Sequence, residues 1–126
     1  MIQDRLVQET AQALAGESFV IPTFQNVSLD IASTDISPTD ISLKGEAGNR
    51  LSVIRSRIDN KVSYNSFRSA TTDLVSTTGD LIEGFGSFAT ESGDTLLTQV
   101  ALDTPFTQTL TFDVELITTI EIARSS

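Results

Sequence analysis

The chain has 126 residues, no Cys and no His, and a net charge of −9 with an isoelectric point near 4.2. That length suits one domain with one hydrophobic core. The missing residues exclude disulfides, thiol catalysis and a histidine base, and the acidity argues against a nucleic-acid or anionic-membrane partner.

Residues 1–15 have helical spacing, with Ile2, Leu6, Val7, Thr10 and Leu14 on one side. Asp4 suits a first turn and Gly16 a helix stop. Residues 1–17 are therefore expected to be a short helix that docks on the rest of the protein or on a neighbouring subunit. The stretch has an acid at position 4 and no apolar core of the kind a secretory signal needs, and no apolar run approaches a membrane span.

From Ser18 onward the period is two, and Ser and Thr fill a quarter of the chain. Residues 18–126 are expected to form one β-domain. "SFVI" reads as a short strand stopped by Pro22, and "NVSLDI" as a half-buried strand through Val27, Leu29 and Ile31. The tetrad TDIS occurs at 34–37 and again at 39–42, too close for a solenoid repeat. A loop around Pro38, leading into Gly45 and Gly48, is the better reading. "RLSVIRSRI" and "VSYNSFRS" predict a hairpin turning at "DNK". "TTDLVSTTGD" predicts a short strand and a turn. "TLLTQVAL" predicts a strand ended by Asp103 and Pro105. In "LTFDVELITTIEI", Leu110, Phe112, Val114, Leu116, Ile120 and Ile122 share a face, and Ile117 is the apolar exception on the other. Seven or eight mostly antiparallel strands after one short helix predict a mainly β fold, an antiparallel β-sandwich or jelly-roll-like domain.

Charge is segregated. Residues 44–68 hold six of the eight basic side chains, and residues 69–123 hold nine acids and no base. Cross-strand pairing within one sheet would explain this. The alternative is that Arg55, Arg57 and Arg68 face an acidic patch on an adjacent subunit.

Several chemical motifs are testable. Gly84-x-Gly86-x-x-Ala89 matches a dinucleotide fingerprint in form, but "TESGDTLL" follows it where a helix is required. Gly84 and Gly86 more simply leave a strand face bare for a neighbouring strand or subunit. Asp80 and Glu83 are candidate paired carboxylates among many acids. Asp30, Asp35 and Asp40 recur every five residues, as calcium ligands or as turn caps. The lack of Trp and the single Tyr64 leave little for a flat sugar-binding platform.

From about Leu43 to Ile122 the chain resembles a loosely defined group of small structural proteins of tailed viruses: virion, tail-fibre-like, neck or head-decoration proteins. Leu43, Glu46 and Arg50 match an early element. Gly86-Ser87-Phe88 and Ser92-Gly93-Asp94-Thr95-Leu96-Leu97 match a strand, turn and strand, and Phe112-Asp113-Val114-Glu115-Leu116 the final strand. Gly84 stands where relatives often carry Glu, and Ser87 where an aliphatic residue is usual. The resemblance implies a non-enzymatic building block located in the virion; the missing catalytic toolkit, the segregated charge and a final strand longer than one small domain needs add the expectation of a homo-oligomer docked on other virion proteins. It implies no cofactor, metal or small-molecule substrate. Ile2, Leu6, Arg55, Arg57, Arg68, Gly84, Gly86 and Ile117 are then the candidate subunit-interface residues. A surface adhesive or glycan-binding sandwich is the alternative.

Overall fold

The computed structural model describes residues 1–75, 79–109 and 113–123. The first element is a helix, α1 (Asp4–Leu14), which packs on the later strand β6. Its end is closed by Gly16 N–H on Ala13 O and Glu17 N–H on Gln12 O, the paired bonds expected when glycine follows a helix. Leu6 is its buried side chain, whereas Val7 and Leu14 are exposed.

Seven strands follow among the described residues: β1 (Phe24–Ser28), β2 (Glu46–Ser52), β3 (Ile54–Ile58), β4 (Lys61–Arg68), β5 (Leu81–Phe88), β6 (Leu96–Thr107) and β7 (Val114–Glu121). They form two antiparallel sheets, with strand orders β2-β1-β5-β6 and β3-β4-β7. Val27 and Ile82 of the first sheet meet Val114 and Leu116 of the second, with Phe85, Leu102 and Phe106 around them. The fold is a mainly β sandwich with one N-terminal helix, as its alternating strands predict.

A second apolar cluster lies on the other face of the four-stranded sheet. Ile31 and Leu43, from the loop between β1 and β2, pack there on Phe88 and Leu96. This loop covers a face that would otherwise be wet, so β1 is buried on both sides rather than half-buried. Gln3 Nε2 donates to Ser37 O and Asp40 O, and Gln99 Nε2 to the Asp40 carboxylate at 2.9 Å. These bonds tie the TDIS loop to the helix start and to β6.

Several boundaries differ from the pattern reading. Residues 18–21 are not a strand: Val20 N–H is spent on Glu9 Oε2, and Pro22 has no N–H to give. β1 stops at Ser28, whose hydroxyl turns to Lys44 O. β2 starts earlier than expected, at Glu46, and includes Gly48 as a bulge with φ +76°. Residues 50–58 are two strands, because the chain changes sheet at Val53. Residues 71–75 are turns and bends rather than strand. β6 continues past Asp103 and Pro105 to Thr107. Residues between Ala101 and Phe106 bulge away from β5 there, and an edge strand tolerates proline. Of the long final strand, 114–121 are strand, while Leu110 and Phe112 lie outside the described residues.

Candidate functional site

The three-stranded sheet has one face on the core and one in solvent. Register assigns the faces: Arg55, Tyr64 and Thr118 share the inner row, and Ile54, Asn65 and Ile117 the outer. On the outer face Ile54 is 67% exposed, Ile58 76%, Phe67 55% and Ile117 51%. They are interleaved with Lys61, Glu115 and Glu121. Asn65 Nδ2 donates to Glu115 Oε1 at 3.1 Å, while its Oδ1 is buried with no partner among the described residues. Large apolar side chains gathered on one uncovered sheet face are the usual mark of an interaction surface.

Both edges of this sheet are open. Among the described residues nothing pairs with the outward side of β3 or of β7. All five residues of β3 are exposed. β3 carries Arg55 and Arg57 and no acid, whereas Glu115 and Glu121 lie on β7 with Asp113 just before it, and no base is there. Arg57 donates to Asp59 O at 2.8 Å, but neither arginine has a carboxylate partner among the described residues. Cross-strand ion pairing within the sheet therefore does not account for these charges.

The inner face of the sheet overhangs the sandwich at one end. Val62, Tyr64 and Ile120 form the floor of a cleft of about 410 Å³ there, and Ile2, Leu6, Val7 and Thr10 of the N-terminal segment form its wall. The helix stripe predicted to dock is thus only partly covered. Burial raises the Tyr64 phenol above its ordinary pKa, and the nearby Arg55 charge opposes this. A second cleft, about 280 Å³, lies along the seam between β6 and β7, lined by Phe85, Val100, Leu102 and Ile117 among others.

Two further expectations need correction. Arg68 does not face outward: it is 2% exposed. Its guanidinium donates to Asn26 Oδ1 at 2.8 Å, Asn49 O at 2.9 Å and Asp73 O at 3.2 Å, so it braces the β2 bulge inside its own chain. Burial lowers its pKa, and Asp73 partly offsets this. For Gly84 and Gly86 the structure supplies a neighbouring strand and not a subunit as the group that approaches. A methyl group on Gly84 would meet Val100 O and, at 2.5 Å, Ile31 Cγ2; one on Gly86 would meet Leu96 Cδ1 at 2.8 Å and Thr98 O at 2.9 Å. The bare face is filled by a neighbouring strand and by the loop of the same chain. Of the other candidate interface residues, Leu6 is buried under its own helix, Ile2 is half exposed at the cleft, and Arg55, Arg57 and Ile117 are on the surface.

The remaining motifs resolve into structure. Gly84–Ala89 runs through β5 into a turn at 89–95 and then β6, with no helix to hold a pyrophosphate. Asp35 accepts Ala32 N–H and Asp40 accepts Ser37 N–H, as turn caps do. Lys44 Nζ lies 3.1 Å from Asp35 and 4.0 Å from Asp30, so an ammonium sits beside these two carboxylates. Hydrogen bonds from Ala32 and Lys44 lower the Asp35 pKa. Asp80 and Glu83 line neither cleft described above. Tyr64 is a cleft floor rather than a flat platform. Among the described residues no group of three carboxylates is placed to hold a metal, and no helix is long and apolar enough to cross a membrane.

The signal for Ile54 and Ile58 was present in the alternation of "VIRSRI", but alternation separates two faces without saying which is inside. Comparisons with protein-family models, with curated proteins and with solved structures find no match for this chain.

Proposed function

We propose that the protein is a non-enzymatic structural component of a tailed-virus particle, one that self-assembles and docks on other capsid, neck or tail proteins. The observation that carries this reading is the outer face of the β3-β4-β7 sheet. Ile54, Ile58, Phe67 and Ile117 lie uncovered there, between two edges with no strand partner among the described residues. An open edge is a template for another strand, and natural monomers usually blunt it. The order of motifs from about Leu43 to Ile122 supports the viral context. In this reading the protein needs no cofactor or substrate, and its place is the virion.

Light scattering and negative-stain imaging of the purified chain test the reading. Discrete oligomers or short polymers are expected at micromolar concentration. A monomer at all concentrations that also fails to co-sediment with particles of its virus would overturn it.

A further inference from the structure

Resting on that self-assembly reading, we infer that copies join head to tail by strand addition, with β3 of one copy pairing along the free edge of β7 of the next and the second copy turned over. The partner is a second copy of this chain, and charge selects it. β3 presents two arginines at spacing two, Arg55 and Arg57. Asp113, just before β7, and Glu115 place two carboxylates at the same spacing on the opposite edge of the same sheet; one oxygen of each accepts within its own chain, from Ala70 N–H at 2.9 Å and Asn65 Nδ2 at 3.1 Å, and the second is left for the neighbour. Every described strand pair in the fold is antiparallel. An antiparallel addition aligns Arg55 with Glu115 and Arg57 with Asp113.

The faces decide the orientation. Arg55 and Arg57 share the inner face with Tyr64 and Val62, whereas Glu115 is on the outer face with Ile117. In a sheet continued with the same side up, arginines and carboxylates would lie on opposite faces. Turning the neighbour over brings them onto one face. It also sends the two four-stranded sheets to opposite sides, so the sandwiches do not compete for the same space. In the same register Ile54 falls beside Leu116 of the neighbouring copy, at the end of that copy's core. The 280 Å³ cleft between its β6 and β7 opens close by, lined by Phe85, Val100 and Leu102. A side chain now 67% exposed would be covered.

The contact is heterologous, since each copy gives β3 at one end and β7 at the other. Such contacts propagate as a chain until a ring closes. Opposite charges at the edges also speed encounter and reject same-edge pairing, β3 on β3 or β7 on β7.

A charge exchange tests this. Arg55→Glu/Arg57→Glu gives a chain acidic at both edges, and Glu115→Lys a chain whose β7 edge has lost its main acid. Each is checked for folding by circular dichroism and thermal melting, then studied by sedimentation velocity alone and as an equimolar mixture. Alone, each is expected to self-associate at least tenfold more weakly than the unaltered chain. The mixture should regain association, because the unaltered Arg55 and Arg57 of the second variant then meet the unaltered acidic β7 edge of the first. An unaltered chain that oligomerises while folded charge variants oligomerise equally well overturns the edge pairing and leaves self-assembly standing. Loss in each variant without recovery in the mixture overturns the pairing too. An unaltered chain that stays monomeric overturns both this inference and the reading beneath it.

Discussion

The Arg50 guanidinium carbon lies over the Phe88 ring, 3.6 Å from its centroid, and the same group holds Glu46 with two hydrogen bonds of 2.8 and 2.9 Å. Glu46 and Arg50 are four residues apart in one strand, too far to touch in a regular one. The Gly48 bulge shortens that distance. Asn26 fills the space opposite the bulge and donates to both Glu46 and Gly48 O. Phe88 also packs on Leu43. Leu43, Glu46, Arg50 and Phe88 therefore form one structural unit that fixes loop, bulge and sheet.

Removing the charge at this unit should be costly and pH-linked. Burial pushes the Glu46 carboxyl up, but Arg50 and Asn26 bonds outweigh it and the net pKa is lowered from 4.5. A lowered folded pKa contributes stability that is complete above the unfolded value and is lost as pH falls through the folded one. Glu46→Gln is expected to destabilise the protein by about 2 kcal/mol at neutral pH. Urea midpoints should fall more steeply with acid for the unaltered chain than for the variant.

Gly84 and Gly86 should tolerate no side chain. A methyl on either meets a β6 carbonyl oxygen, and backbone cannot step aside as a side-chain tip can. Gly84→Ala and Gly86→Val are expected to cost roughly 3 kcal/mol each or to prevent folding. Thermal melting checks this, and an unchanged melting temperature would contradict the close approach of the β6 backbone to these glycines.

Arg68 should not be replaceable by an unbranched apolar side chain that fills only its stem. Arg68→Met removes one of the two donors to Asn26 Oδ1, the other being Val27 N–H, and takes the guanidinium from the Asn49 and Asp73 carbonyls. Loss of three charge-assisted bonds at a buried site makes about 3 kcal/mol the expectation, read as a drop in the urea midpoint.

Ile54 should matter to assembly and not to folding. It is on an exposed strand and outside both core clusters. Ile54→Asp is expected to change stability by no more than about 0.5 kcal/mol. The same change should abolish oligomers in sedimentation velocity. Added salt should weaken the association of the unaltered chain as well, because exposed charges beyond roughly 8 Å are screened at physiological ionic strength.

The strands were legible because period-two alternation is local. In β7, Ile117 stands out of phase with its apolar neighbours, and it is on the solvent face as that phase demands. What alternation cannot carry is long-range. At Phe67 and Arg68 the polarity is inverted, with the ring outside and the cation inside, because the cation's partners come from Asn26, the β2 bulge and the turn at Asp73. The bare strip at Gly84 and Gly86 was readable as a request for close approach. That a loop from much earlier in the chain answers it was not, since Ile31 and Leu43 carry no local mark of their destination. The charge split between β3 and β7 was visible too, but Arg55, Arg57 and Arg68 all share the inner face, and only the packing of Asn26 and the β2 bulge over Arg68 separates it, buried, from the two exposed arginines of β3.

Hydrogen exchange measured on dilute and on concentrated protein addresses the joining of copies through this sheet most directly, because an edge amide gains a partner only when a strand is added. Concentration-dependent protection confined to residues 54–58 and 113–121 is the expected result. Oligomers in which these two segments exchange as fast as in the monomer would contradict it.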